Sequence, residues 1–557
     1  MAFDTTIYSL IASKLDKMLK DLDTYMSVYG IPKKQAEDEI KLYLMNKEKA
    51  ILGNKGARDY VINQYIKILS SKVFSTDVDY MDKLIDFKNL QNNDVIILFE
   101  MLLDIFDMSF IIDKYDFSTR IREKDIRKIV QDEEETIKKH FKSNTSKLKL
   151  IAIIAYSREY GQDCIDTLQH HNINEIGIIR KDYVYIVYKG EKLYLDFLCF
   201  KDKNIVLNIQ KKTTQNAVVN YDEHNPSVIA SKDNSSRITV AGYDMTPTDE
   251  ELYYNERIFN LKKITLEEMR DKYRTIDGLI YDFLILNQMG RSSHFITGAE
   301  MGVGKSTFLL AMMEKVPDKW GIGILDTQNE LQAGKKYPWK NIKTLIQTPK
   351  RTISDCFVTQ LKMARDVLYV GEITMPDEVV ELINASLRLN AGVGATMHSL
   401  SPYEVVANLR NLMMRTDMYS DAQTAESDIS RGINIIINLA HHPKEPKRII
   451  VDKIVEIVSI DRDINIEPKL EGSLHERLSN LVNMAQVALS KYLYAKNYMY
   501  RDIFAFQDDR WIPVNLPSKR YFDRISKYVD KSYIDDFIEK FNKQKSLTKV
   551  KSQGEEQ

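Results

Sequence analysis

The chain has 557 residues and carries 79 lysines and arginines against 80 aspartates and glutamates, so we expect two to four domains. This balance of charge gives the chain as a whole no electrostatic attraction to nucleic acid or to anionic lipid. The three cysteines, Cys164, Cys199 and Cys356, are widely spaced, which argues against a structural zinc site and fits a reducing cytosol.

The first 145 residues are predicted to form a mostly helical segment. Ile40, Leu44 and Ile51 recur there at helical spacing, and Gly53 is predicted to end that helix. Residues 119–149 carry many charges of both signs, a pattern more typical of a solvated helix than of an arm that binds nucleic acid.

No segment is predicted to direct export or to cross a membrane. The first residues include Asp4 and Asp16 and lack the long apolar core of a signal peptide. The most apolar window, residues 95–112, contains Glu100 and Asp107, which a membrane-spanning helix would have to bury at a cost of several kcal/mol. We therefore expect an intracellular protein with a buried amphipathic helix over this window.

From Leu148 the pattern changes to that of a mixed domain. Residues 148–156 are predicted as a strand and residues 160–171 as a helix. Residues 182–198 are predicted as two tyrosine-rich strands that turn at Lys189-Gly190. A helical stretch over residues 264–290 then leads into the next part of the chain.

Strands and helices alternate from Ser293 onwards. The predicted buried strands cover residues 293–298, 321–326, 365–372, 392–399, 432–440 and 447–460. Alternation of this kind predicts an α/β fold with a mostly parallel sheet that is covered by helices on both faces.

These patterns divide the chain into five predicted parts. Beyond residue 466 we expect a helix, a small C-terminal region and a disordered last dozen residues. The predicted parts are a helical N-terminal extension (1–145), a mixed α+β N-terminal domain (146–245), a linker (246–290), an α/β domain with the mostly parallel sheet (291–465) and a C-terminal helical region with a disordered tail (466–557).

The segment GAEMGVGKST, residues 298–307, has the ending of a phosphate-binding loop. Gly302 and Gly304 let backbone amides turn inward, and a helix that begins at Lys305 presents its positive N-terminus to phosphate. The Ser306 hydroxyl would ligate Mg²⁺. The predicted nucleotide-binding residues are Gly298, Gly302, Val303, Gly304, Lys305, Ser306 and Thr307. Ala299 stands where the motif has its first glycine, so the start of the loop differs from the usual pattern.

Three side chains near strand ends are candidates for the chemistry of hydrolysis. Glu372 follows an apolar strand, from which its carboxylate could hold the water shell of Mg²⁺. Glu330 follows another strand, although Thr327 and Glu330 also fit a capping box with a purely structural role. His398 closes a third strand, and it could either sense the γ phosphate or be structural.

The order of these motifs resembles that of the secretion ATPases of type II and type IV systems, a motor family that includes Tad pilus and conjugation ATPases. In that family the phosphate loop is followed by an acidic box similar to LDTQNEL (325–331), a run ending in Gly-Glu similar to LKMARDVLYVGE (361–372), and a segment similar to GVGATMHSLSP (392–402). The resemblance covers about residues 160–465.

The resemblance implies a RecA-like P-loop motor domain and a role for each matching residue. Lys305 and Ser306 match the phosphate-loop lysine and the magnesium hydroxyl, and Glu330 matches a glutamate that activates water. Glu372 matches the acidic residue at the end of the family's Gly-Glu motif, which implies a role as a metal ligand. His398 matches the histidine of the family's histidine box. Arg257 matches a linker arginine that reaches the nucleotide, with Arg237 as a weaker candidate; such a residue would stabilise charge on the transferring phosphoryl group.

Two departures from the family pattern stand beside these matches. Thr374 occupies a position at which the family usually has an arginine, and Leu389 and Asn390 occupy the register of a Thr-Gly-His motif. Arg365 or Arg388 could substitute for the missing arginine.

The resemblance further implies ATP and Mg²⁺ as cofactors and a homo-oligomer, a hexameric ring, at the cytoplasmic face of a membrane secretion or conjugation complex. Two alternatives remain open from the sequence. A DNA-translocating motor would need a basic surface, which the charge balance does not indicate. A non-catalytic nucleotide-binding scaffold would carry a degenerate site, against which the intact Lys305, Ser306, Glu330 and Glu372 count.

Overall fold

The computed structural model describes residues 6–71, 84–215, 217, 219–232, 236–258, 263–300, 302–326, 330–347, 351–363, 365–389, 392–460, 471–493 and 496–554. Contacts divide the chain into two compact units, Met1–Asn260 and Leu261–Gln557.

The first unit combines helices with one sheet. Its helices are α1 (Thr6–Met18), α2 (Leu22–Tyr29), α3 (Lys33–Ile51), α4 (Lys55–Leu69), α5 (Val95–Ile105), α6 (Met108–Tyr115), α7 (Glu123–Asp132), α8 (Glu134–His140), α9 (Asn144–Glu159) and α10 (Lys203–Thr213). Its strands are β1 (Arg120–Ile121), β2 (Glu175–Arg180), β3 (Tyr183–Tyr188), β4 (Glu191–Leu195), β5 (Ser227–Ser231), β6 (Arg237–Ala241) and β7 (Glu251–Arg257).

The seven strands form a sheet in the order β1-β4-β3-β2-β7-β6-β5. Burial alternates along β3, β5, β6 and β7, which is the mark of a sheet with one face on a core and one face towards solvent. The predicted hairpin that turns at Lys189-Gly190 is confirmed by the antiparallel pairing of β3 and β4. Because β7 pairs with β2 and β6, part of the predicted linker belongs to this sheet.

Residues 148–156, predicted as a strand, are helical. They lie within α9, whose N-cap Ser143 accepts a hydrogen bond from the Ser146 amide. Every residue from Leu150 to Arg158 is buried, so this helix is apolar all round and shows no 3.6-residue period. The predicted helix over 160–171 is present only as two short 3₁₀ turns, Asp163–Ile165 and Thr167–His170.

The predicted helix over residues 95–112 is confirmed as helical but is broken into α5 and α6. Asp107 ends the run by capping α6, since its carboxylate accepts the Ser109 amide. Glu100 is fully buried and accepts a hydrogen bond from Arg158 at 2.6 Å. Within the ranges given above, no helix combines the length and the apolar character that crossing a bilayer requires.

The predicted helix in this stretch is confirmed as α3, and Gly53 lies just beyond its end as predicted. The buried residues of α3 are Ala36, Tyr43 and Ala50, whereas Leu44 is exposed. Gly53 has a φ of 90°, the left-handed conformation expected just beyond a helix end.

The second unit contains the remaining elements. Its helices are α11 (Leu266–Asp271), α12 (Gly278–Met289), α13 (Lys305–Glu314), α14 (Ala333–Lys336), α15 (Ile353–Leu361), α16 (Pro376–Leu389), α17 (Val405–Met413), α18 (Ala422–Gly432), α19 (Leu474–Leu493), α20 (Lys519–Ile525) and α21 (Lys531–Gly554). Its strands are β8 (His294–Gly298), β9 (Ile322–Leu325), β10 (Ile342–Leu345), β11 (Val367–Val370), β12 (Gly392–His398), β13 (Ile435–His441), β14 (Ile449–Ser459), β15 (Tyr498–Gln507) and β16 (Arg510–Pro513).

These nine strands form one sheet in the order β10-β9-β11-β12-β8-β13-β14-β15-β16. Following this order, each neighbouring pair from β10 as far as β13 is parallel. The pairs β13-β14, β14-β15 and β15-β16 are antiparallel. Alternate residues of β8 enter different cores, since Ile296 packs in one cluster and Phe295 in another. The predicted α/β fold with a mostly parallel sheet covered on both faces is therefore confirmed.

The C-terminal region contributes strands that the sequence did not predict. β15 and β16 extend the sheet beyond β14, and α21 continues to Gly554 within the stretch expected to be disordered. Phe283 of α12 stacks with Tyr521 and lies 5.8 Å from Phe537, measured between ring centroids. The C-terminal helices thus share the core of the second unit.

Phe537→Ala is expected to lower the free energy of unfolding of the second unit by about 3 to 5 kcal/mol, because it removes a buried ring from this core. Tyr533→Ala, on the same helix at a position where the side chain is exposed, is the matched control and is expected to cost little. Urea unfolding followed by tryptophan fluorescence measures both, since all three tryptophans lie in this unit. Equal losses in the two variants would contradict this packing.

Acid is expected to weaken the second unit through His294, the first residue of β8. Burial lowers the pKa of His294 to about 4 from its ordinary value of 6.5. The unfolded chain therefore binds the proton first, so this contribution is complete above pH 6.5 and is lost as the pH falls towards 4. Between pH 7.5 and pH 5 the loss amounts to about 2 kcal/mol. His294→Gln should flatten the pH dependence by that amount in urea unfolding; an unchanged slope would contradict it.

Candidate functional site

The phosphate loop joins β8 to α13. Gly302 and Gly304 have φ values of 80° and 82°, a left-handed conformation that side chains other than glycine rarely adopt. A Cβ atom on Gly298 would lie 2.6 Å from Val303 Cγ1 and 3.1 Å from the Leu439 carbonyl oxygen. Glycine is therefore required at 298, directly before the position where the usual motif has its first glycine.

The first turn of α13 carries Lys305, Ser306 and Thr307. The first N–H groups of a helix have no partner within the helix, and they sit at the positive end of its dipole. The loop and the helix start therefore present backbone donors to an anion, which is the geometry expected of a phosphate site.

Lys305 is buried, and its Nζ lies 3.1 Å from Nε2 and 3.3 Å from Nδ1 of His398. Burial lowers the pKa of Lys305, and the Glu372 carboxylate acts in the opposite direction. In the described part of the chain, no carboxylate lies within 4 Å of this ammonium group. A buried cation that faces an imidazole instead of a carboxylate is suited to binding phosphate oxygens.

Glu372 and His398 meet Lys305 because three parallel strands end at the same edge of the sheet. Gly298 and His398 are partners in the register of β8 and β12. Glu372 follows β11, the other neighbour of β12, and its Oε1 lies 3.4 Å from His398 Nε2. The strand-end positions predicted for Glu372 and His398 are confirmed, and the structure brings both together with Lys305.

Glu330 lies after β9 and outside any helix. The helix that follows, α14, begins at Ala333, and Thr327 lies outside the described residues. The predicted capping box would need a helix that starts soon after Thr327. Because Thr327 lies outside the described residues, the capping box stays a prediction.

Asp326 also lies at the edge of the sheet where Glu372 and His398 meet, and the sequence analysis did not predict it as a site residue. It is buried directly after β9, and its Oδ2 accepts the Leu331 amide at 3.0 Å. Lys336 donates to the Leu331 carbonyl at 2.9 Å, and burial lowers the pKa of Lys336 to about 8. Both the amide and the carbonyl of Leu331, the residue after Glu330, are thus hydrogen-bonded. The signal was available, because Asp326 follows a buried strand much as Glu372 does.

Arg257 and Arg237 lie in the first unit, opposite each other in the register of β6 and β7. Arg257 Nε lies 3.7 Å from Glu175 Oε2 on the adjacent strand β2. The structure therefore pairs the two predicted arginines with each other. Their predicted reach to the nucleotide stays a prediction.

Of the two candidates for the missing arginine, the structure describes only the side chain of Arg365, which does not lie beside Glu372. Arg365 precedes β11, at the end of the strand opposite Glu372, and its guanidinium lies 6.0 Å from the Phe357 ring centroid. The side chain of Arg388 and residue Asn390 lie outside the described residues. Thr374 donates from its backbone amide to Glu378 at 2.8 Å, a bond that supports the start of α16.

Comparison with known proteins finds likeness only at the level of structure. No family model and no curated protein matches the sequence. The VirB11 ATPase of the Brucella suis type IV secretion system aligns over 52% of this chain and 93% of its own, with 14% identity and a TM-score of 0.28. The Legionella pneumophila ATPase DotB aligns over 66% and 95%, with 13% identity and a TM-score of 0.38. The pilus retraction motor PilT, solved with bound ADP, aligns over 59% and 90%, with 13% identity and a TM-score of 0.36.

The chain resembles the type IV secretion and pilus ATPases. At TM-scores below 0.5, the roles of individual residues rest on the geometry of this chain alone.

Proposed function

We propose that the chain is an ATP-hydrolysing motor of a type II or type IV secretion, pilus-assembly or conjugative transfer system, with a RecA-like P-loop domain. The observation that carries the proposal is the buried Lys305 ammonium at the start of α13, which faces the imidazole of His398 and has no carboxylate within 4 Å in the described chain. An ATP phosphate would supply the negative oxygens that this position lacks.

Each of the residues at this edge of the sheet then has a role in hydrolysis. Lys305 and the amides of the loop bind the β and γ phosphates, and His398 lies where it contacts both Lys305 and Glu372. Glu330, on a backbone anchored by Asp326 and Lys336, orients the attacking water and accepts its proton.

The donor set also fits Mg²⁺. The Ser306 hydroxyl and the Glu372 carboxylate are hard oxygen donors, the type that this ion prefers. Both belong to the same edge of the sheet, since Ser306 is in the first turn of α13 and Glu372 follows β11. When bound, Mg²⁺ would neutralise negative charge on the phosphates during transfer.

The work of the motor follows from coupling between its parts. In this proposal Arg257 contributes to the nucleotide site, and hydrolysis shifts the population of arrangements of the N-terminal domain and the motor. The chain assembles as a homo-oligomer, a hexameric ring, docked on the cytoplasmic face of a membrane complex. The long helical extension favours a conjugation-type system.

Steady-state ATP hydrolysis across a range of protein concentrations, with sizing in parallel and with or without DNA, tests the proposal. Turnover is expected to rise as larger oligomers form and to be insensitive to DNA. Turnover that requires DNA and falls steeply with salt would instead indicate a DNA-translocating motor. No turnover in any oligomer would indicate a nucleotide-binding scaffold.

A further inference from the structure

His441 is the last residue of β13, and it lies beside the phosphate loop. A Cβ atom on Gly298 would lie 3.1 Å from the carbonyl oxygen of Leu439, two residues before His441. A Cβ atom on Gly304 would lie 3.5 Å from Cδ1 of Ile449, which is the partner of His441 in the register of β13 and β14. The end of β13 and the start of β14 therefore lie against the loop.

Glu300 is the one acidic residue of the loop segment 298–307, and its side chain meets the end of β13. Its Oε2 lies 3.2 Å from Nε2 of His441. The side chains of His441 and Glu300 are 31% and 67% exposed, so the pair can exchange protons with solvent. A carboxylate in a loop that binds phosphate opposes that binding, because like charges repel. The charge of Glu300 therefore has to be compensated.

The ring of His441 is held with both of its nitrogens towards acceptors. Nδ1 lies 2.6 Å from the Pro446 carbonyl oxygen, which can only accept, so Nδ1 carries a hydrogen. Nε2 faces the ionised Glu300 carboxylate, which is an acceptor as well. A neutral imidazole has a single N–H, so it would satisfy Pro446 and turn a lone pair towards Glu300. Only the protonated ring, with a hydrogen on each nitrogen, satisfies both neighbours.

The other charged groups near the end of β13 are engaged elsewhere or belong to the turn that follows it. Lys305 of the loop contacts His398. The charged residues of the β13–β14 turn and of the β15–β16 hairpin next to it include Lys444, Lys447, Glu445, Arg448 and Asp509. The last three of these are joined in ion pairs centred on Arg448, and His442 contacts Asp509. Among the described residues, His441 makes an ion pair with Glu300 alone.

We propose that His441 is a positioning residue of the nucleotide site: its protonated ring pairs with Glu300, neutralises this carboxylate and holds it away from the bound phosphates. The inference rests on the proposed function, since it concerns the same loop. Imidazole is the side chain whose charge ordinarily changes between pH 5 and pH 8. At the acidic end of this range the pair is present, and as the pH rises the ring becomes neutral and the charge of Glu300 is left unpaired. The contribution of His441 to nucleotide affinity is therefore lost as the pH rises.

Binding of a fluorescent ADP analogue with Mg²⁺, measured between pH 6 and pH 8.5, tests this role without turnover. In His441→Asn the amide keeps a donor for Pro446 but has no nitrogen in the place of Nε2. The phosphates of the nucleotide also titrate in this range, so the quantity to compare at each pH is the dissociation constant of the variant divided by that of the wild type. We expect this ratio to be about 2 to 5 at pH 6, the range for a solvent-exposed ion pair, and about 1 at pH 8.5.

His140→Asn is the matched control. His140 Nε2 also faces a carboxylate, at 3.0 Å from Asp104 Oδ2, but it lies at the end of α8 in the first unit. Its ratio should be about 1 at every pH, because the Asp104 contact is remote from the loop in sequence and belongs to the other unit.

Glu300→Gln is the second variant, and it should tighten ADP binding at pH 8.5 about twofold or more, because it removes the unpaired charge. In a Glu300→Gln background, His441→Asn should change the affinity at no pH. A ratio for His441→Asn that is independent of pH or that persists in Glu300→Gln, or no tightening by Glu300→Gln, would overturn the inference and leave the nucleotide site intact. If the wild type bound no ADP at any pH, the proposed function would fall, and this role with it.

Discussion

Lys305→Ala is expected to lower ATP turnover by about 100-fold to 1,000-fold, the range seen when one charge-stabilising donor is removed from an active site. The physical reason is the position of the ammonium, which is buried at the start of α13 beside His398 and has no carboxylate within 4 Å in the described chain. When the Lys305 side chain is removed, no other cation among the described residues lies beside His398. Coupled-enzyme measurement of phosphate release at saturating ATP gives the ratio directly.

Lys319→Ala is the matched control for this prediction. Lys319 is exposed, lies beyond the end of α13 and belongs to the same unit, so its loss removes an equal charge without touching the loop. Turnover by this variant should equal that of the wild type. If Lys305→Ala and Lys319→Ala were equally active, the loop would not be the site of hydrolysis.

Glu330→Gln is expected to retain nucleotide binding and to lose turnover by about 100-fold or more, since the amide cannot accept a proton from water. The substitution keeps the size of the side chain, and the backbone beside it remains anchored by Asp326 and Lys336. Binding of a fluorescent ATP analogue, measured beside turnover, separates the two effects. A loss of binding equal to the loss of turnover would contradict the assigned role.

Glu404→Gln serves as the control, because Glu404 is an exposed carboxylate in the same unit and follows β12. It should change neither binding nor turnover. A variant of Glu330 as active as this control would leave Glu372 as the carboxylate to examine next.

The parallel part of the second unit could be predicted because its strands are buried on both faces and end at short polar motifs. The five predicted strands between residues 293 and 440 are present, and α13 begins at Lys305, directly after the phosphate loop, as predicted. The meeting of Lys305, His398 and Glu372 follows from this arrangement, since parallel strands direct their carboxyl ends to one edge.

The errors have physical reasons that are specific to each segment. Residues 148–156 form a helix surrounded by core on all sides, and a continuous apolar run does not distinguish such a helix from a buried strand. Asp326 follows a buried strand, a signal that was available but not used, whereas its bond to the Leu331 amide could not be predicted because it depends on how the loop folds back. β15 was missed because Arg501 and Asp502 interrupt its apolar pattern; Arg501 donates to the Leu516 carbonyl and Asp502 accepts from Tyr403.

The addition of β15 and β16 to the sheet has a practical consequence for dissecting this protein. The recognisable motifs end near residue 465, and a truncated variant that stops there would remove the strand paired with β14. It would also remove Tyr521 and Phe537 from around Phe283. The exposed β14 would then present unpaired amides and carbonyls to other molecules, a known route to aggregation. An autonomous catalytic fragment must therefore retain residues 496–541 as well as the motifs.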